Sequence, residues 1–270
     1  MPDAAEHTPL NARVTAREDL NDALVLLEVE YADGRTIEFE PGQFANLGLP
    51  PRDPAQATGR SGLVKRAYSI ASAPGRRTLE FFVRLVENGA LTPLLWELRP
   101  GDPLWMDERI LGKFTLQNAP VPPAPAERDL VMISTGTGIA PFQSMLRHFR
   151  GRGLWRRFVT INGVRIQSDL GYRGELERTA AEDPSVVYVP ICSRDDARAG
   201  WPGLCGRVDA ALEPRAYERL VGAPLAPERC QVFLCGNPDM IDTVQKLLET
   251  RGFRKHTRKE PGQVHFERYW

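Results

Sequence analysis

Four short segments hold residue types that can bind anions or lie against a flat ring. Ser134-Thr135-Gly136-Thr137-Gly138-Ile139-Ala140-Pro141 follows an apolar run at 130–134 and precedes apolar residues at 142, 145, 146 and 149, one face of a helix. A glycine turn between strand and helix aims backbone N–H groups and the positive end of the helix dipole at a phosphate. Cys235-Gly236-Asn237-Pro238-Asp239-Met240 repeats the arrangement, with proline at the first helical position. Two such strand ends imply a shared crevice at the carboxyl edge of one sheet. Pro141 stands where the GxGxxG fingerprint has its third glycine, so either turn alone would equally fit an ordinary tight connection.

The other two segments lie earlier in the chain. Arg66-Ala67-Tyr68-Ser69 places a permanent cation, an aromatic face and a hydroxyl within four strand residues, with Arg66 and Tyr68 on one side. Alone it would read as a half-buried strand with its arginine in solvent. Gly89-Ala90-Leu91-Thr92 enters a short helix, with Thr92 as its expected cap and Pro93 at its first position, and supplies a second phosphate cradle. Together, a cradle and a nearby cation point to a pyrophosphate, hence to a dinucleotide.

Two kinds of scaffold must position these segments. Up to about residue 116 the chain alternates short apolar runs with turn residues: 24–29, Asp33-Gly34 and 36–39 read as a hairpin, and 43–49, 67–72 and 79–86 as further strands. About six strands in an antiparallel β-barrel are expected. Pro120, Pro122, Pro123 and Pro125 then mark a linker that sustains neither helix nor central strand. From residue 130 the pattern becomes strand, glycine loop, helix, with buried strands at 158–162, 186–192 and 231–235 and helices at 174–181 and 238–250. The expected organisation is therefore an antiparallel barrel over 1–118, a linker over 119–129 and an α/β parallel-sheet, Rossmann-like domain over 130–270.

Lys+Arg and Asp+Glu both number 35, which argues against a nucleic-acid binder needing a cationic surface. No apolar run reaches membrane-spanning length and no signal-peptide pattern opens the chain, so a cytoplasmic protein is expected; a monomer is the expected state. Cys192, Cys205, Cys230 and Cys235 match no zinc or iron–sulfur spacing, so no metal is expected and reduced thiols are. Basic clusters at Arg147, Arg150, Arg152, Arg156 and Arg157, and at Arg251, Arg254, Lys255, Arg258 and Lys259, could steer an acidic partner or be plain solvated faces.

Taken in order with the terminal Glu267-Arg268-Tyr269-Trp270, these pieces resemble the ferredoxin–NADP reductase family, specifically its bacterial ferredoxin or flavodoxin reductases. The resemblance implies an FAD domain followed by an NADP(H) domain, and hydride transfer from NADPH to flavin with electrons passed singly to ferredoxin or flavodoxin. It places Arg66 on the FAD pyrophosphate, Tyr68 against the flavin and Ser69 near its reacting nitrogen. Ala67, Phe82, Val83, Arg84, Gly89, Ala90, Leu91 and Thr92 complete the FAD site, with Tyr269 and Trp270 over the rings. Ser69, Cys235, Glu267 and Tyr269 are the implied reaction-centre residues, Cys235 as a positioning contact rather than a nucleophile. Thr135, Gly136, Thr137, Gly138, Gly236, Asn237 and Asp239 are implied for NADP. Ser193, Arg194, Arg165 and Arg207 supply its 2′-phosphate contacts. Two rival readings share these features: an NAD(P)H-dependent flavin reductase or oxygenase reductase component, and a redox-sensing nucleotide-binding protein without turnover.

Overall fold

The computed structural model describes residues 10–57, 61–118 and 127–269, so Trp270 and the 119–126 part of the expected linker lie outside the described residues. The chain divides into two compact units, Met1–Lys113 and Phe114–Trp270. The aromatic ring of Phe114 packs on Phe142 and Phe233 of the second unit, with centroids 5.9 and 5.2 Å apart.

The first unit is an antiparallel sheet of β1 (Ala12–Asn21), β2 (Leu24–Tyr31), β3 (Phe44–Leu49), β4 (Val64–Ser69), β5 (Thr78–Arg84) and β6 (Pro103–Met106), in the order β4-β3-β6-β1-β2-β5, with α1 (Thr92–Glu97) between β5 and β6. A single bridge, Ile70 to Phe81, joins the two end strands and closes the sheet on itself. On β5 the alternation is plain: Leu79, Phe81 and Val83 are each fully buried in the core, whereas Arg84 is exposed. The expected hairpin is not formed. β2 is paired along its length by β1 on one side and β5 on the other, which leaves no edge for 36–39. That segment runs as irregular backbone that still presses Ile37 and Phe39 into the core.

The second unit is a parallel sheet in the order β10-β9-β8-β7-β11-β12. Its elements are β7 (Asp129–Thr135), α2 (Ala140–Phe149), β8 (Arg157–Val164), α3 (Arg173–Glu182), β9 (Val186–Cys192), β10 (Leu204–Cys205), α4 (Val208–Leu212), α5 (Pro214–Val221), β11 (Cys230–Gly236), α6 (Pro238–Glu249) and β12 (Val264–Arg268). Strands β7 and β11 are buried along nearly their whole length, as a parallel sheet covered on both faces requires. The chain builds outward from β7 through β8, β9 and β10, then returns to the opposite side of β7 for β11 and β12. The topological switch thus falls between β7 and β11, where both glycine turns emerge. An antiparallel barrel followed by a parallel α/β unit is the fold class read from the sequence. Among the described residues no helix is long and apolar enough to cross a membrane.

Candidate functional site

The turn after β7 begins as a single 3-10 turn, Gly136–Ile139, before α2. Gly138 and Gly236 are there for each other's strand ends. A Cβ on Gly138 would fall 2.4 Å from the Cys235 carbonyl oxygen, and one on Gly236 would fall 2.4 Å from Thr135 Oγ1. The Asn237 N–H donates to Thr135 Oγ1 at 2.9 Å, latching the two turns together. Gly136 differs: at φ +54 its missing Cβ would meet nothing within 4 Å, so the turn presents bare backbone to open space. Such a backbone surface at the start of a helix is the donor arrangement a phosphate takes. Asn237 Oδ1 accepts from the N–H of Asp239 at 2.7 Å and caps α6. The exposed Asp239 carboxylate sits in that first turn, where its charge suits hydroxyl or amide groups and not phosphate.

Cys235, Glu267 and Tyr269 come together at the same end of the sheet. Parallel pairing of β11 with β12 sets Cys235 beside Glu267 and Gly236 beside Arg268. The Tyr269 hydroxyl donates to the Thr137 carbonyl at 3.2 Å, which draws the chain terminus over the first glycine turn. Cys235 is fully buried, and burial together with the Glu267 charge pushes its thiol well above the usual range, a hydrogen bond with Tyr269 pulling weakly the other way. A buried thiol with a raised pKa offers a small packing surface more readily than a thiolate.

Beside Cys235, two fully buried polar side chains face each other across β7 and β8, Ser134 from the first glycine segment and Asn162, which sequence reasoning passed over, with Ser134 Oγ donating to Asn162 Oδ1 at 3.0 Å. Polar residues inside otherwise apolar strands were the signal available.

Three exposed arginines gather near the ends of β8, β9 and β10. The Arg194 N–H donates to the Arg165 carbonyl at 2.8 Å, and Ser193 Oγ donates to the Val164 carbonyl at 3.2 Å. Arg207 follows β10 directly after Gly206. None of the three arginines forms a salt bridge among those found in the described residues. Unpaired guanidinium groups clustered at a sheet's carboxyl edge are the donor set for a phosphate.

In the first unit, Arg66 is exposed and its guanidinium donates to the Lys65 carbonyl at 2.7 Å. Tyr68 packs partly against the barrel core, where burial raises its phenol above the usual range, and Ser69 is buried. Because, among the described residues, the Ile70–Phe81 bridge is the one that joins the ends of β4 and β5, Tyr68 and Ser69 on one strand and Phe82, Val83 and Arg84 on the other border a stretch where the two strands are not laddered. The Val83 side chain is committed to the core, leaving only its backbone for a ligand. Thr92 does not cap α1. Leu91 occupies that position, and Thr92 Oγ1 instead exchanges hydrogen bonds with the N–H and carbonyl of Val86, both at 3.0 Å. This bond pair closes the 86–92 loop over Gly89, whose Cβ would lie 2.9 Å from the Val86 carbonyl.

The Oxidoreductase NAD-binding domain family matches residues 132–246. The ferredoxin–NADP reductase B of Sorangium cellulosum is 37% identical over 97% of this chain and 98% of its own. The flavodoxin/ferredoxin–NADP reductase of Escherichia coli is 32% identical over the same shares of the two chains. A crystal structure of a ferredoxin NADP+ reductase from Neisseria gonorrhoeae with bound FAD and NADP superposes with a TM-score of 0.82 at 27% identity, covering 96% of this chain and 98% of that one.

Proposed function

The chain belongs to the ferredoxin/flavodoxin–NADP reductase family, and from that premise we propose that it is an FAD-dependent oxidoreductase joining NADP(H) to ferredoxin or flavodoxin. The observation that carries the reading is the carboxyl edge of the second unit, with a bare-backbone glycine turn, a fully buried Cys235 beside Glu267 and Tyr269, and Arg165, Arg194 and Arg207 in no ion pair among the described residues. When bound, FAD supplies the step that neither protein nor coenzyme performs alone, taking two electrons as a hydride and releasing them one at a time.

The chain's own residues bind and orient. Arg66 offers the pyrophosphate a permanent charge, and Tyr68 gives a flat ring a flat partner with water excluded from between them. Ser69, Phe82, the Val83 backbone, Arg84 and the 89–92 loop shape the remainder of that site. In the second unit the turns at Thr135–Gly138 and Gly236–Asn237 hold the coenzyme pyrophosphate, and Ser193, Arg194, Arg165 and Arg207 hold the 2′-phosphate that distinguishes NADPH from NADH. Cys235 supplies a small polarizable surface to the nicotinamide, and Ser69, Glu267 and Tyr269 complete the reaction-centre residues.

The carrier is an acidic protein. Of the two basic clusters, the one at 147–157 is largely neutralised by Glu175, Asp183 and Asp129. Residues Arg254, Arg258 and Lys259 of the other are exposed and form no salt bridge among those found in the described residues, so this cluster is the better steering surface.

The test is spectroscopic. The purified protein should be yellow, lose its flavin absorbance on anaerobic addition of NADPH, and regain it when oxidised ferredoxin or flavodoxin is added. A colourless chain that FAD does not reconstitute would overturn the proposal, as would a flavin that NADPH leaves oxidised.

A further inference from the structure

Cys192 and Cys205 are register partners across the β9–β10 edge of the second unit, and the Gly206 N–H donates to the Cys192 carbonyl at 2.9 Å beside them. Paired residues on neighbouring strands project to the same face with Cα atoms about 5 Å apart. That lies within the window of roughly 4.4–6.8 Å that a disulfide spans. Both are free thiols of opposite exposure: Cys205 is open to solvent, whereas Cys192 is sealed with Val164, Leu170 and Trp201. The other two cysteines, Cys230 and Cys235, are both buried on β11. Strand β10 is two residues long at the sheet edge, between Gly203 and Gly206, so it can make the small approach a bridge requires.

We propose that Cys192 and Cys205 form a dithiol–disulfide pair oxidised by hydrogen peroxide and returned to two thiols by exchange with a reducing dithiol. The exposed Cys205 sulfur attacks one peroxide oxygen, the O–O bond breaks, and the other oxygen leaves as water with the thiol proton, making Cys205 a sulfenic acid. The Cys192 sulfur then attacks the Cys205 sulfur, the S–S bond forms as the S–O bond breaks, and hydroxide leaves with the Cys192 proton as a second water. The two thiols have lost two electrons and the peroxide has gained them. Burial seals Cys192 from free peroxide and also pushes its thiol up to about 11, whereas Cys205 is exposed, so Cys205 is oxidised first and Cys192 meets only the neighbouring sulfur.

The consequence rests on the coenzyme reading given above. Ser193-Arg194 follow Cys192 directly and Gly206-Arg207 follow Cys205, so a bridge that resets the spacing of the two paired cysteines shifts both cations from their reduced-state positions. Oxidation then weakens NADPH and leaves NADH unaffected.

The experiment treats the full-length, FAD-loaded protein with hydrogen peroxide, blocks remaining thiols, digests without reductant and maps the peptides by mass. A dithiothreitol-reversible peptide joining Cys192 to Cys205, absent from Cys205→Ser, is expected. Over-oxidised Cys205 with Cys192 still a blocked thiol would overturn the pair. In parallel, the oxidised protein should show KM for NADPH raised about tenfold, the size of one lost charge-assisted contact, with NADH turnover unchanged and Cys205→Ser unresponsive. If the bridge forms without that rise while Arg194→Ala does raise KM for NADPH, the regulatory link is overturned. If Arg194→Ala has no effect either, the 2′-phosphate reading fails with it and only the redox pair stands.

Discussion

Gly138→Ala separates the geometric account of the coenzyme turn from one based on local preference. Gly138 lies outside the positive-φ region, so alanine meets no backbone objection there, and helix propensity alone would favour it by up to about 1 kcal/mol. The structure says the opposite. The added Cβ would sit 2.4 Å from the Cys235 carbonyl oxygen, 2.8 Å from its carbon and 3.0 Å from Gly236 Cα, all backbone atoms of β11 that no rotamer change can move. Overpacking of a rigid site costs about 1–3 kcal/mol, and three simultaneous backbone contacts place this case at the upper end. Subtracting the propensity gain leaves a net loss of about 2 kcal/mol, or about 4–8 °C in Tm for a chain of this size. The same displacement opens the space between the β7 and β11 turns, so KM for NADPH should rise as well. Gly136→Ala is the control: at φ +54 it carries about 1 kcal/mol of backbone strain but no clash, and should lose less stability. Thermal unfolding followed by circular dichroism, with steady-state kinetics on both variants, measures the contrast. A Gly138→Ala protein as stable as the parent would refute the reasoning.

Other consequences are as definite. Arg194→Ala should raise KM for NADPH about tenfold without changing Tm, because the side chain is exposed and in no ion pair found among the described residues; equal losses with NADH would contradict its assignment. Asp129, fully buried at the start of β7 and bonded to Arg156 at 2.8 and 2.7 Å, should cost about 3 kcal/mol when replaced by alanine, read as a lowered urea midpoint. His265 is stacked between Phe233 and His256 with Gln231 2.6 Å from its Nε2, and burial first, then His256, depresses its pKa to about 3. The fold therefore favours the neutral ring: its stability contribution is complete above the unfolded value of about 6.5 and is lost as pH falls from there toward 3. At pH 5 the loss is at most about 2 kcal/mol, reduced by the ring's residual solvent contact. His265→Phe should flatten the slope of stability against pH between 5 and 6.5, and an unchanged slope would place the titration elsewhere.

Strands buried on both faces were readable from their apolar runs, which is why β7, β8 and β11 differ from expectation only at their ends; β9, less deeply buried, spans the expected residues because its apolar run is as continuous. Pairing was not readable. Strand β2 is flanked by β1, whose residues alternate between buried and exposed, and by β5, which lies about fifty residues further on; nothing local at Asp33-Gly34 records that both its edges are taken. Strand β10, at two residues, is too short to have a period at all.

At the site the residue types were legible but their division of labour was not. Thr92 and Thr135 read as ligand contacts, yet each hydroxyl is consumed in building its turn, one by Val86 and the other by the Asn237 amide a hundred residues away. Asn237 likewise gives its side-chain oxygen to the cap of α6. Gly138 and Gly236 read as room for a ligand, whereas each makes room for the other's strand. What the architecture does not consume is Arg66, Arg165, Arg194 and Arg207, permanent charges with no ion pair among the described residues, together with the open backbone at Gly136. Residues with a structural duty should lose stability and binding together when replaced. Those without one should lose binding alone, and that separation distinguishes a ligand contact from a piece of the scaffold more sharply than membership of a motif does.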